Sequence, residues 1–177
     1  LEISPTGKVP VVQTPDGHVL FESAVINEYL DEMHPPHFLG ETPLERAQDR
    51  MWLDFVTGIY GPVYNAFSVV TQEQYKGVMN TIAAKLTKLE PVIAGPFFNG
   101  DTFGLVDATV APVFTRLSWI ARLASEPDPF DGLPNAKAWS VAILTRSSVQ
   151  ESVLPDIFDI FKKSITRNES WLSTQIN

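Results

Sequence analysis

The sequence predicts a short α/β segment followed by an all-helical domain, and three observations predict it. A strand–turn–strand pattern occurs once, at the start of the chain. From Ser23 onward apolar residues recur at helical spacing. Pro and Gly steps then divide that helical stretch into pieces of ordinary helix length.

Taken in order, Val9–Gln13 is short and β-branched, and His18–Phe21 is its returning partner. Between them, Thr14-Pro15-Asp16-Gly17 is a turn with a mechanism. Pro presets φ, Asp favours the turn, and Gly takes the left-handed position. Ser23 opens a helix with Ile26, Leu30 and Met33 on one face and Tyr29 beside them. His34-Pro35-Pro36-His37 stops it and begins an extended linker. Thr42-Pro43 opens the next helix, which reaches about Val70 and is expected to kink or break at Gly58 and Gly61-Pro62. A helix from about Gln72 to Ile93 carries the stripe Met79, Ile82, Leu86, Leu89 and Ile93. Another starts near Gly104 with Val106, Val110, Phe114 and Leu117 on one face, and Leu133-Pro134 opens a fourth to about Leu144. The last begins near Pro155 and carries Ile157, Phe158, Phe161 and Ile165. These readings set a partial N-terminal domain at 1–35, a linker at 36–42 and an all-helical domain at 43–177.

Composition narrows the function. The 177 residues are 44% hydrophobic and 19% charged, which suits a globular chain with a sizeable core. A formal net charge of −8 argues against nucleic acid, which demands clustered Lys and Arg, and against an anionic membrane surface. No apolar run is long enough to span a bilayer. There is no Cys, so disulfides, Cys-based metal sites and a Cys nucleophile within these residues are excluded. A cytoplasmic location is compatible with that.

Four positions near the start could bind a ligand. A cis bond at Val9-Pro10 would turn the chain sharply and aim the backbone N–H and C=O of Val9 outward, where they could pair with an extended peptide. An ordinary trans proline at a strand start is the plainer reading. Ser23 can cap the helix after it. The same helix start can hold a carboxylate, with Glu22 beside it to pair with an ammonium. Lys8 could reach a second carboxylate or could be a solvated surface lysine. Asp107, three residues after Gly104, is read as structural, reaching back to the backbone at the start of its helix. His34 and His37 lack a third ligand and are read as linker residues rather than a metal site. Trp52, Trp119, Trp139 and Trp171 are read as core.

Three blocks together resemble the glutathione transferase family. Ser4 to Asp31 is similar to the glutathione-binding half of its thioredoxin-like first domain. Gly95 to Phe114 is similar to the segment that opens its sixth helix, and Leu133 to Val149 to its seventh helix and the turn after it. The resemblance implies a partial thioredoxin-like N-terminal domain, a helical-bundle C-terminal domain and glutathione in the cleft between them. It also implies a cytoplasmic homodimer with a detoxifying role and no metal. Carried over, Val9 would pair with the cysteinyl backbone and Pro10 would be the cis proline. Glu22 and Ser23 would hold the γ-glutamyl end, and Lys8 the glycine carboxylate. The partners are glutathione and a hydrophobic electrophilic small molecule, with neither nucleic acid nor membrane. The style of residues 22–55 suits bacterial, omega-like or etherase-like branches.

Two departures stand out. The family's sixth helix is normally capped by Ser or Thr, and here Gly104 stands in that place at a cost of a few tenths of a kcal/mol. The family's first strand, first helix and second strand, which carry its catalytic Ser, Tyr or Cys, have no counterpart in these residues. About 40–60 further residues are therefore expected before Leu1, from usual element lengths. The alternative function is a non-catalytic binding or assembly module of the same fold.

Overall fold

The computed structural model describes residues 3–124 and 126–176. They fall into two compact units that divide between Ala47 and Gln48.

The first unit holds a two-stranded antiparallel sheet and one helix. β1 (Val11–Gln13) pairs with β2 (Val19–Phe21) in the register Val11 to Phe21 and Gln13 to Val19. The turn between them is closed by two bonds, Gly17 N–H to Thr14 C=O and Thr14 N–H to His18 C=O, both 2.9 Å. The Thr14 hydroxyl lies 2.5 Å from the Asp16 carboxylate and accepts from His18 N–H at 3.0 Å. Gly17 has φ +92°, a value that a side chain would strain.

α1 (Ser23–Met33) follows. Ile26 is its buried apolar residue, whereas Leu30 and Met33 are exposed, so the expected stripe is only partly covered within the described residues. Asp31 is buried instead. Its carboxylate accepts from the backbone N–H of Phe38 (2.6 Å) and Leu39 (3.3 Å), and His37 Nδ1–H donates to the Asp31 carbonyl (2.7 Å). The segment read as an extended linker is thus folded back onto the end of α1. The reason is that the Asp31 side chain meets backbone donors that the prolines leave without helical partners.

α2 (Pro43–Thr57) opens with a reciprocal cap. The Thr42 hydroxyl accepts from Glu45 N–H, and the Glu45 carboxylate accepts from Thr42 N–H at 2.8 Å. These bonds hold the exposed Glu45 carboxyl below its ordinary range. The expected break falls at Gly58, after which α3 (Tyr60–Ala66) begins.

In the second unit, α4 (Gln72–Leu89) starts on a Thr71–Gln74 capping box and buries Tyr75, Met79, Ile82, Leu86 and Leu89. It stops short of the expected Ile93 because Pro91 lacks the N–H that would continue the helical bonds, while Glu90 before it keeps helical φ and ψ and donates to the Leu86 carbonyl at 3.0 Å. Gly95 then approaches the backbone of Gly100 so closely that a Cβ would sit 2.9 Å away, which seals the turn carrying Phe98. α5 (Leu105–Ala121) is the central helix, burying Val106, Val110, Phe114, Leu117 and Ile120. α6 (Pro134–Thr145) contributes Trp139, which is fully buried and meets Phe114 edge-on at 4.9 Å and Phe98 at 5.4 Å. A short helix not foreseen from the sequence, α7 (Ser147–Gln150), leads to α8 (Ile157–Arg167). A 3₁₀ turn over Trp171–Gln175 closes the chain, with Trp171 stacked 4.5 Å from Tyr75.

Two carboxylates tie these helices together. Asp107 Oδ1 accepts from Phe98 N–H (2.8 Å) and Trp139 Nε1–H (2.6 Å), and Oδ2 from Gly104 N–H (2.7 Å). Burial pushes its carboxyl above the ordinary range, and those donors pull against the shift. Glu90, just past α4, accepts from the backbone N–H of Asn135 (2.9 Å) and Ala136 (2.8 Å) and so caps α6 from outside it.

Asp107→Ala is expected to lower stability by at least about 3 kcal/mol in urea denaturation, because it strands donors that now meet a charged acceptor. An unchanged midpoint would remove the Asp107 anchor. Tyr75 supplies a second test. Its hydroxyl is buried without a partner among the described residues, and burial holds the phenol up at about 12. The unfolded chain ionises from about pH 10 while the folded one does not, so stability present below pH 10 is lost as pH rises toward 12. Tyr75→Phe should raise the unfolding free energy at pH 7 by about 1 kcal/mol. It should also flatten the alkaline decline between pH 10 and 12 by up to about 2–3 kcal/mol. Parallel alkaline curves for parent and variant would contradict this.

Candidate functional site

Antiparallel pairing brings the candidate residues to one end of the hairpin. β1 and β2 pair Val11 with Phe21. Val9-Pro10 directly precedes β1 and Glu22-Ser23 directly follows β2, so both dipeptides flank the end of the hairpin away from the Thr14–Gly17 turn. The Val9–Pro10 peptide bond is cis. Val9 is 79% exposed, and neither its N–H nor its C=O bonds to another described residue. Lys8 is exposed beside it, with its carbonyl held by the Ser4 hydroxyl at 2.8 Å.

Glu22 is the most distinctive residue of the group. Its φ of 69° and ψ of 115° place a non-glycine residue in backbone space that costs about 1–3 kcal/mol and gathers at ligand sites. It is also the N-cap of α1, whose first helical residue is Ser23. This corrects the expectation that Ser23 is the cap: its hydroxyl makes no capping bond. The first intrahelical bond at this end is Ile26 N–H to Glu22 C=O, 3.0 Å. The N–H groups of Ser23, Ala24 and Val25 have no partner among the described residues, and the first turn carries no acid to neutralise them. Unpaired donors, an unspent hydroxyl and the positive end of the helix dipole suit a carboxylate.

Gly104 and Asp107 stand elsewhere, in the second unit, with Gly104 as the N-cap of α5. Their bonds are all internal. Among the described residues no group of three or more His, Cys, Asp or Glu is arranged to hold a metal ion.

Sequence reasoning missed a cavity in the second unit. It has a volume of about 470 Å³. Ala111, Pro112, Arg116 and Trp119 of α5 line it, together with Val149 and Val153 from the segment after α6. Trp119 thus lines a cavity rather than filling the core. The signal lay in the apolar residues Ala111, Pro112 and Trp119 that surround Arg116 on α5, a face that no sequence pattern singled out. Arg116 lies 5.4 Å from the Tyr64 ring and 6.0 Å from the Trp119 ring.

Comparison with known proteins follows this geometry. The family model "Glutathione S-transferase, N-terminal domain" matches residues 1–33, and "Glutathione S-transferase, C-terminal domain" matches residues 72–142. The chain is 28% identical over 142 residues to glutathione S-transferase omega-1 of Rattus norvegicus, covering 78% of this chain and 57% of the relative. It is 32% identical over 179 residues to glutathione transferase GST 23 of Zea mays, covering 95% of this chain and 77% of that one. The crystal structure of glutathione transferase Omega 3C from Trametes versicolor superposes with a TM-score of 0.80 at 26% identity, covering 95% of this chain and 73% of that one. The chain thus spans little more than half the length of the rat omega-1 relative.

Relief of the backbone strain gives a test. Glu22→Gly should raise the denaturation midpoint by about 1 kcal/mol, since glycine accepts the positive φ and serves as an N-cap. A lower midpoint would show that Glu22 is held without strain.

Proposed function

The chain belongs to the glutathione transferase family, and we propose that it binds glutathione at the hairpin end of its first unit for transfer to a hydrophobic electrophilic small molecule. The observation that carries this is the backbone of Glu22, strained at the start of α1 and beside Val9-Pro10, where plain helix capping would call for no strain.

The roles follow from the chemistry of the peptide. The free N–H and C=O of Val9 pair with the cysteinyl backbone as one more strand would. The γ-glutamyl carboxylate sits at the open N–H groups of Ser23 and Ala24, accepting also from the Ser23 hydroxyl. Its ammonium faces the Glu22 carboxylate. Lys8 meets the glycine carboxylate. These groups fix the peptide while its sulfur acts as a thiolate. In conjugation, a C–S bond forms, the leaving group departs with its electron pair, and the thiol proton goes to solvent. In thiol exchange, the thiolate attacks a disulfide sulfur instead, a new S–S bond forms, the old one breaks, and the other sulfur leaves as a thiolate. No residue of this chain is assigned to the thiol itself. The cavity between α5 and α7, largely apolar and of ligand size, supports an aromatic or aliphatic acceptor. Family membership extends the proposal to a two-fold dimer working in the cytoplasm. Among the described residues no helix is long and apolar enough to cross a membrane.

Ser23→Ala separates ligand binding from folding. The hydroxyl caps nothing, so stability should move by less than about 0.5 kcal/mol. Glutathione affinity should fall by roughly tenfold, the worth of one hydrogen bond to a charged group. Calorimetric titration of parent and variant with glutathione checks both statements. Equal affinities would leave Ser23 without a role in binding.

A further inference from the structure

We infer that the small molecule taken by the α5–α7 cavity is an anion, with an aromatic body and a carboxylate set against Arg116. Arg116 is the one charged residue among the described residues that line the cavity. Its guanidinium is half-buried, and no carboxylate pairs with it among the described residues. Nη1 donates to the Pro112 carbonyl at 2.9 Å, and Nη2 reaches the Tyr64 hydroxyl only at 3.4 Å. A guanidinium has five N–H donors, so several remain for a ligand. Acids outnumber bases in this chain, 21 to 13. The bonds of Arg116 to Pro112 and Tyr64, and the Tyr64 and Trp119 rings, partly offset its desolvation, but no counter-charge faces it among the described residues, and a ligand carboxylate would supply one.

A second cation borders the same space. Arg146 stacks over the Phe103 ring at 4.2 Å, and its Nε–H donates to the Ser148 hydroxyl at 2.9 Å. Phe103 and Ser148 both line the cavity. No acidic residue does so among those described. The charge that the described lining itself carries is therefore positive in an acidic chain, and low-dielectric walls strengthen its pull on an anion. The rings of Trp119 and Phe103 fit a flat aromatic body, and a planar guanidinium suits a carboxylate held by two parallel bonds. A volume of about 470 Å³ suits a molecule of one or two rings. That this anion is the acceptor of a thiolate rests on the transferase reading. That it is an aromatic anion rests on the cavity.

The test is calorimetric titration of the full chain with 3,5-dinitrobenzoate and with its uncharged methyl ester, which share one aromatic body. The parent should bind the acid about tenfold more tightly than the ester, the scale of a half-exposed charged hydrogen bond. Arg116→Gln should abolish that preference and leave the ester unchanged. Arg116→Lys keeps the charge and should keep part of the preference, and Arg146→Gln should reduce it less than Arg116→Gln does. An acid bound no better than its ester by the parent overturns the inference, and so does a preference that survives Arg116→Gln. Titration with glutathione in parallel separates the two readings. Glutathione bound without any acid preference overturns the anion inference alone. An acid preference without glutathione binding overturns the transferase reading and leaves the ligand class of the cavity standing.

Discussion

The carboxylate of Asp107 is the constraint on which the helical unit depends. One side chain joins three segments distant in sequence: the start of its own helix, the turn holding Phe98, and the indole of Trp139 on α6. Each donor is buried or nearly so, where an unmet N–H is costly and a charged acceptor is strongest. Phe98, Phe114 and Trp139 pack against each other around that point. Glu90 repeats the device at the start of α6. The helices are thus fixed to one another by acids aimed at backbone donors. The ion pairs Lys137–Asp128 and Lys162–Asp159 lie toward the surface, where such pairs contribute little.

The first unit is organised on a different basis. Its sheet has two short strands, and Val9, Phe21, Val25, Leu30 and Met33 are exposed. What it fixes is backbone direction. The hairpin brings two dipeptides to the same end, Glu22 adopts a strained cap, and the first turn of α1 keeps its donors open among the described residues. Asp31 holds the far end of that helix by taking two backbone N–H groups of the following loop. A binding edge made of main-chain groups tolerates wide change in the side chains around it, so a recognisable site can persist at modest sequence identity.

The legible parts of this chain are those written in local chemistry. Thr14-Pro15-Asp16-Gly17, the break at Gly58, the Pro43 and Pro134 helix starts and the Asp107 cap each depend on neighbours within a few residues, and each could be read in advance. Pro91 was equally legible and ends α4 before Ile93. The misreadings have a shared cause. Whether Ser23 or Glu22 caps α1 turns on a positive φ that no propensity favours for glutamate. The burial of Asp31 depends on a loop folding back, and the capping of α6 depends on Glu90, 45 residues before its first partner. The cavity beside Arg116 is formed by α5 and the segment around α7, a pairing of faces that periodicity on α5 alone does not contain.

The division between Ala47 and Gln48 also has an optical consequence. Trp52, Trp119, Trp139 and Trp171 all follow it, while the first unit carries Tyr29 as its near-ultraviolet chromophore. All four indoles therefore belong to the second unit. Trp139, sealed in the core with its N–H on a carboxylate, supplies the blue-shifted part of that signal and moves to the red as α5 and α6 separate. Fluorescence samples the second unit while backbone circular dichroism samples both, so a gap between the two unfolding curves measures how independently the small unit folds.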